Sequence, residues 1–210
     1  MPKTAPFETH VDRYEDWFTK YPDAYTAELR AVRALVPKNS RGIEIGAGTG
    51  RFSVPLEIKQ GVEPSLQMAK TARRHHMQII SGVAEDLPLA DDQFDFALMV
   101  TTVCFLDDIA RAFQETRRIL KPGGFLIVGF VDRTSPLGRL YLAHQHENVF
   151  YRDAIFYSVD EIVTAMKQTG FMDFDFRQII FSGLSEITPA EPVKAGYGQG
   201  SFVVVRGQKK

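Results

Sequence analysis

Alternating strands and helices are the feature that most constrains the fold of this chain. Apolar runs typical of buried strands, such as GIEI at 42–45, FDFALMV at 94–100 and FLIVGF at 125–130, are separated by segments with helical periodicity. Because parallel strands need a crossover that is usually a helix, this order predicts an α/β fold with helices on both faces of the sheet. The last two runs, at 173–181 and 201–207, have no helical segment between them, so they can pair antiparallel.

Composition restricts where such a domain works and what it binds. The chain has 210 residues, which fits one domain, and its 25 Lys and Arg nearly balance 26 Asp and Glu. No strong field therefore favours nucleic acid or an anionic membrane. The single cysteine, Cys104, cannot form an internal disulfide and suits a reducing compartment. With no apolar run long enough to span a bilayer and no signal-peptide pattern, we expect a cytoplasmic protein.

Three glycines follow the first strand at alternate positions, Gly46, Gly48 and Gly50. Ligands of parallel sheets bind at this place, beyond the strand ends, and glycines let the backbone approach a ligand closely. Glu44 stands just before the loop, where a carboxylate would repel a pyrophosphate but favour a cationic ligand. S-adenosylmethionine is such a ligand, because its sulfonium and ammonium groups outweigh its carboxylate. Taken alone, the glycines are also compatible with an ordinary tight turn.

Two further features indicate a nucleoside. Glu63 ends the second strand, about twenty residues after Glu44, where an acidic residue can accept both ribose hydroxyls. The loop GVAEDLP at 82–88 follows the third strand, where it could frame an adenine.

Four motifs together resemble one family. EIGAGTG, GVEPS, GVAEDLPLADDQFDFAL and LKPGGFLIV have the order and spacing of class I S-adenosylmethionine-dependent methyltransferases, with the closest likeness to the ubiquinone/menaquinone methyltransferases. The resemblance is close over residues 41–130. It implies a Rossmann-like, seven-stranded, mostly parallel sheet whose last strand is antiparallel.

The resemblance also implies roles for matching positions. Glu44 and the glycine loop would lie by the methionine moiety and Glu63 would hold the ribose. Ala84 and Glu85 would lie beside adenine, and the end of the fourth strand would lie near the methyl group. The implied cofactor-binding residues are Glu44, Gly46, Ala47, Gly48, Gly50, Glu63, Pro64, Ala84, Glu85, Thr101 and Thr102.

Three departures from the family pattern have consequences. The segment 50–63 is short and contains Pro55, so we expect a stunted helix there. Val83 stands where an aspartate often recognises the adenine amine, which leaves backbone groups or Glu85 for that role. Cys104 and Phe105 replace a pair of histidines found in many relatives, so no catalytic base is expected at that place.

The chain is expected to form a single methyltransferase domain, 1–210. Its predicted parts are N-terminal covering helices at 1–36, a cofactor-binding core at 41–130, a substrate lid at 131–157, and the last helix and strand pair at 158–210. The lid assignment rests on length, because the segment is long for a strand-to-helix connection.

The catalytic residues are not fixed by this pattern. Methyl transfer depends largely on alignment and water exclusion, so it has no obligatory side-chain dyad. His10 and Tyr14 are the candidates for a catalytic role, because the N-terminal segment covers the site in the family, whereas Trp17 and Phe18 are expected to dock their helix. The pair at 144 and 146 lacks further ligands at a recognisable spacing, so no metal is expected.

The sequence therefore predicts an S-adenosylmethionine-dependent methyltransferase that acts on a small-molecule acceptor by in-line transfer, without nucleic-acid or membrane partners. Two alternatives stay open. One is a non-catalytic S-adenosylmethionine-binding protein; the other is an NAD-dependent oxidoreductase, which Glu44 and the glycine spacing disfavour. The acceptor atom and the oligomeric state are not determined by the sequence.

Overall fold

A single β-sheet organises residues 3–210, which are the residues described by this computed structural model. The strands lie in the order β3-β2-β1-β4-β5-β8-β6-β7. Strands β1 to β5 are parallel, and β8 runs antiparallel between β5 and β6. The strands are β1 Gly42–Ile45, β2 Gln60–Val62, β3 Gln78–Ile80, β4 Phe94–Val100, β5 Leu120–Val131, β6 Phe171–Ile179, β7 Lys194–Ala195 and β8 Phe202–Lys209.

Within residues 3–210, four of the helices begin with a side-chain cap that the sequence supplies. Ser65 accepts from the Met68 N–H at 3.3 Å, and Ser158 and Glu161 form the reciprocal capping box that their spacing indicates. No helix in residues 3–210 is long and apolar enough to cross a membrane. The helices are α1 Ala5–Thr9, α2 Val11–Lys20, α3 Pro22–Arg33, α4 Leu66–Arg74, α5 Ile109–Ile119, α6 Pro136–Ala143 and α7 Val159–Gln168, with 3-10 turns at Val103–Phe105 and Gln145–Glu147.

The predicted α/β fold is confirmed, including the antiparallel pairing of the last two long strands. The predicted number of seven strands is wrong by one, because the described residues contain eight. The additional strand is the two-residue β7, which pairs with Arg177 and Gln178 at the sheet edge. Its residues are exposed and lack an alternating apolar pattern, so no periodicity could indicate it.

Both faces of the sheet are covered, as the apolar runs indicate. In β4, Ala97 and Met99 belong to the core cluster that contains residues of α5 and α7. Phe96 and Leu98 face the opposite cluster, which contains the buried face of α3. This alternation places β4 between two apolar layers in the interior of the molecule.

No α-helix follows the glycine loop directly. Residues 51–57 form turns, and the next helix in the chain is α4. Pro55 lies in this stretch and has no N–H for a helical hydrogen bond, so the expected stunting is confirmed. The loop therefore lacks the helix N-terminus that receives the pyrophosphate in dinucleotide-binding folds.

Candidate active site

A cavity lies at the carboxyl ends of β1, β2 and β4, where the strand order changes direction between β1 and β4. We call it the first cavity. Loops after the first four strands contribute to its wall. The structure thus brings together eight of the eleven predicted cofactor residues: Gly46, Gly48, Glu63, Pro64, Ala84, Glu85, Thr101 and Thr102.

Two backbone amides hold the Glu63 carboxylate at the wall of the first cavity. Glu63 follows β2 and is only 6% exposed. Its Oε2 accepts from the Gly48 N–H and its Oε1 from the Ser65 N–H, both at 2.8 Å. Burial raises the pKa of Glu63, and these hydrogen bonds oppose that rise. A carboxylate has about four lone-pair positions, so it can still accept from two hydroxyls of a ligand.

The loops after β1 and β4 fit together through Gly46 and Thr102. Gly46 has φ +71°, and a Cβ there would lie 2.4 Å from the Thr102 Cγ2. Only glycine is therefore compatible with both the conformation and the space. The neighbouring Thr101 also has a positive φ, +50°, which is strained for a side chain branched at Cβ. Its N–H donates to the Gly129 carbonyl at 2.8 Å, which holds this strained residue at the end of β4.

Three predicted cofactor residues lie outside the wall of the first cavity. Glu44 is 2% exposed and accepts from the Ser53 hydroxyl; burial raises its pKa to about 8. Ala47 packs into a small apolar cluster beside Met77. A Cβ at Gly50 would lie 2.6 Å from the Met77 sulfur, so that glycine is required for packing.

The Glu85 carboxylate has partners of its own. It accepts from the Asp107 N–H at 2.9 Å and more distantly from the Asp108 N–H, just before α5. Val83 and Ala84 face the same cavity. The loop after β3 thus presents mainly backbone and apolar groups to the first cavity.

Helices α1 and α2 cover the first cavity and are tied to the core by exposed and half-buried polar contacts. Glu8 accepts from the Leu66 N–H at the start of α4. Glu15 accepts from the Thr49 hydroxyl and pairs with Arg51. These contacts place the covering segment over the glycine loop and the β2–α4 loop.

The two catalytic candidates have different positions. Tyr14 lines the first cavity, and its hydroxyl lies over Gly48, where a Cβ would be 3.3 Å away. Burial and the nearby Glu44 raise the pKa of Tyr14 well above its ordinary value, so its hydroxyl keeps its proton. His10 lines neither this cavity nor the one beside it; its ring centre is 6.4 Å from that of Phe150.

A second cavity, of about 370 Å³, adjoins the first. The two share Phe7, Tyr14, Thr101 and Phe105 in their walls. Aromatic rings from separate segments line it, and they contact one another at centroid distances of 5.0 to 6.2 Å. Its remaining lining residues are Arg13, Asp16, Trp17, Phe18, Lys20, Tyr21, Glu28, Phe52, Val131, Tyr141, Asn148, Phe150 and Tyr151.

Sequence reasoning missed several residues of the second cavity. Trp17 and Phe18 were expected only to dock α2, yet both also line this cavity. Glu28 was not singled out at all. It lies on the buried stripe of α3 with Ala24, Ala27 and Ala31, and a carboxylate within an alanine stripe is a signal that could have revealed it.

Cys104 is not part of either cavity. It packs beside Ala154 and Phe156 in a small apolar cluster, and burial raises the pKa of its thiol to about 12. Such a thiol is not a nucleophile near neutral pH. The residues from 3 to 210 contain no group of three or more His, Cys, Asp or Glu side chains that could hold a metal ion.

Comparisons with known proteins agree with this geometry. The profile of a family described as "Methyltransferase domain" matches residues 43–128. A solved structure from Thermotoga maritima, described as a SAM-dependent methyltransferase and possible histamine N-methyltransferase, is 54% identical; the match covers 97% of this chain and 98% of that one, with a TM-score of 0.95.

Two curated relatives extend the comparison. An uncharacterised protein of Methanocaldococcus jannaschii is 38% identical over 203 residues, which are 97% of this chain and 98% of that protein. An uncharacterised methyltransferase of Mycobacterium tuberculosis is 32% identical over 63% of this chain and 54% of its own length. Together with the fold and the first cavity, these matches show that the chain belongs to the S-adenosylmethionine-dependent methyltransferases.

Proposed function

We propose that this protein transfers a methyl group from S-adenosylmethionine in the first cavity to a small-molecule acceptor in the second. The observation that carries the proposal is the junction between the two cavities. Thr101 and Tyr14, with Phe7 and Phe105, line both spaces. A donor and an acceptor on either side of this junction would meet where β4, a strand buried along most of its length, ends.

The first cavity fits the cofactor through the chemistry of its wall. Glu63 presents a carboxylate in a fixed orientation, which suits a vicinal diol such as ribose. Gly46 and Gly48 bring the backbone to the wall without side chains, where the methionine moiety would lie. Ala84 and the backbone beside it would contact the adenine. Glu44 lies behind the wall with its pKa raised to about 8 by burial, so a cationic ligand would favour its ionised form.

When bound, S-adenosylmethionine would supply an electrophilic methyl group, to which the acceptor bonds in line as the C–S bond breaks and S-adenosylhomocysteine leaves. The residues of this chain have two tasks in such a reaction. Phe7 and Phe105 enclose the junction and exclude water. Tyr14 and Thr101 hold the two ligands in alignment, and the protonated Tyr14 hydroxyl can donate a hydrogen bond across the junction.

A small molecule is the acceptor that the second cavity favours. The cavity is enclosed by aromatic rings and is of the size of a drug-like ligand. The Thermotoga maritima relative is described as a possible histamine N-methyltransferase, and histamine is a molecule of that size class. The motif resemblance to the ubiquinone/menaquinone methyltransferases stays a prediction.

The test combines cofactor binding with turnover. Calorimetry should detect S-adenosylmethionine binding by the wild type and weaker binding by Glu63→Gln. Asp86→Asn is the matched control, because its exposed side chain lies in the neighbouring loop. A screen of small metabolites should then identify an acceptor that drives S-adenosylhomocysteine formation. Bound cofactor without turnover on any small acceptor, but with methylation of a macromolecule, would contradict the proposal.

A further inference from the structure

We propose that Glu28 binds a positively charged nitrogen of the methyl acceptor, so that the substrates of this enzyme are small amines. This inference rests on the proposed function, because it names the class of molecule that occupies the second cavity. It begins with a buried carboxylate that the fold leaves without a partner.

Glu28 lies in the middle of α3 and is 4% exposed. Within residues 3–210, no group donates a hydrogen bond to its carboxylate and no cation forms an ion pair with it. Burial alone raises its pKa to about 8. A buried carboxylate without compensation is costly, and proteins retain such groups mainly where a ligand or a reaction uses them.

The position of Glu28 points to a ligand of the second cavity. Its side chain is part of the cavity wall, whereas its neighbours on the α3 stripe, Ala27 and Ala31, are packed in the core. The carboxylate therefore borders the space in which an acceptor would lie. The charged groups that also line this cavity are Arg13, Asp16 and Lys20, and all three are exposed at its rim.

The rest of the wall suits an organic cation. Trp17, Tyr21, Tyr141 and Tyr151 present aromatic rings to the same cavity. The faces of aromatic rings attract cations, most strongly where water is excluded. One carboxylate among several rings is thus complementary to an ammonium or imidazolium group attached to an apolar body. A neutral acceptor could offer the carboxylate only a hydrogen bond, and an anionic acceptor would be repelled by it.

The fold has already removed Glu28 from water, and burial keeps its proton in place up to about pH 8, so a cation that binds beside the side chain displaces this proton to solvent. The ion pair that forms gives the buried carboxylate its missing partner. A neutral alcohol of the same shape would contact the same rings and could donate a hydrogen bond to Glu28, but it would bring no positive charge to compensate the carboxylate. Discrimination between an amine and its alcohol counterpart is therefore the property that Glu28 should control.

The chain offers an internal probe for this test. Trp17 is its only tryptophan and lines the second cavity, so its fluorescence should report occupancy. Wild type and Glu28→Gln, each saturated with S-adenosylhomocysteine, would be titrated with histamine, phenethylamine and tyramine, and with the alcohols that replace their amino groups. Asp16→Asn is the matched control, since it removes a carboxylate from the exposed rim of the same cavity.

At least one amine should bind the wild type about tenfold or more tightly than its alcohol counterpart. Glu28→Gln should lose that preference, while Asp16→Asn should keep it. Equal affinities of amines and alcohols for the wild type, or a preference that survives in Glu28→Gln, would overturn the inference. Calorimetry with S-adenosylmethionine separates this failure from failure of the proposed function, because Glu28 does not line the first cavity.

Discussion

The buried carboxylate of Glu28 makes the stability of the protein depend on pH in a way that one substitution should remove. In the folded protein the pKa of Glu28 is raised from 4.5 to about 8. Between these two values the unfolded chain has released the proton and the folded chain still holds it. The contribution of Glu28 to the free energy of unfolding therefore falls as pH rises from about 4.5 to about 8, and it is constant again above that range.

The size of the effect follows from the shift. At 1.36 kcal/mol per pKa unit the upper bound is about 5 kcal/mol. Interiors respond with a higher effective dielectric than a dry protein, so we expect about 2 kcal/mol in practice. For a chain of this length that corresponds to a difference of roughly 4 to 8 °C in Tm. Glu28→Gln keeps the shape of the side chain but cannot ionise, so it should be the more stable protein above pH 8.

The assay is denaturant unfolding, followed by circular dichroism at intervals from pH 4 to pH 9. The informative quantity is the difference in the free energy of unfolding between Glu28→Gln and the wild type, because the other titrating groups cancel. This difference should grow from about pH 4.5 to about pH 8 and then stay level. Asp16→Asn, whose side chain is exposed, should give a difference that does not vary with pH. If the difference in the free energy of unfolding between Glu28→Gln and the wild type also did not vary with pH, the reasoning would be refuted.

Three further predictions concern the active site. Glu63→Ala should weaken S-adenosylmethionine binding by at least about tenfold in calorimetry, since it removes charge-assisted hydrogen bonds to a ligand. Cys104→Ala should keep most of the turnover once an acceptor is known, because the thiol is buried with a pKa of about 12. Deletion of residues 1–21 should leave a folded protein by circular dichroism, one that binds the cofactor more weakly and turns over far more slowly, because α3 and its apolar face are retained.

Each of these has a result that would contradict it. Unchanged cofactor affinity in folded Glu63→Ala would remove that residue from the site. Loss of turnover in Cys104→Ala with cofactor binding intact would give the thiol a role in the reaction. Aggregation of the truncated chain would show that Phe18, which is buried against the α3 side of the core, is a structural anchor.

The parts of the fold that are encoded locally could be predicted from the sequence. Buried strands such as β4 are recognisable as apolar runs, and the capping box of Ser158 and Glu161 is visible in four consecutive residues. The first cavity could also be predicted from the sequence, because parallel topology brings the ends of consecutive strands to one edge of the sheet. The place of Glu63 beside the glycine loop follows from that rule alone.

The second cavity could not be predicted in the same way. It joins the covering helices, α3, Phe105 and the 141–151 segment, which are far apart in the chain and meet only through tertiary packing. In the sequence, the aromatic residues of these segments are equally compatible with an ordinary hydrophobic core. Glu44 shows the opposite problem, since its position in the sequence suggested a ligand contact while Ser53 from the following turn covers its carboxylate.

The wall that the two cavities share affects the order in which the cofactor and the acceptor bind and leave. Phe7 and Tyr14 belong to α1 and α2 and face both spaces, and the contacts of Glu8 and Glu15 tie these helices to loops of the cofactor site. A movement of α1 and α2 that releases S-adenosylhomocysteine would therefore also open the second cavity, where the acceptor lies. For an acceptor that takes more than one methyl group, we expect distributive kinetics, in which the singly methylated product accumulates in solution before the second transfer begins.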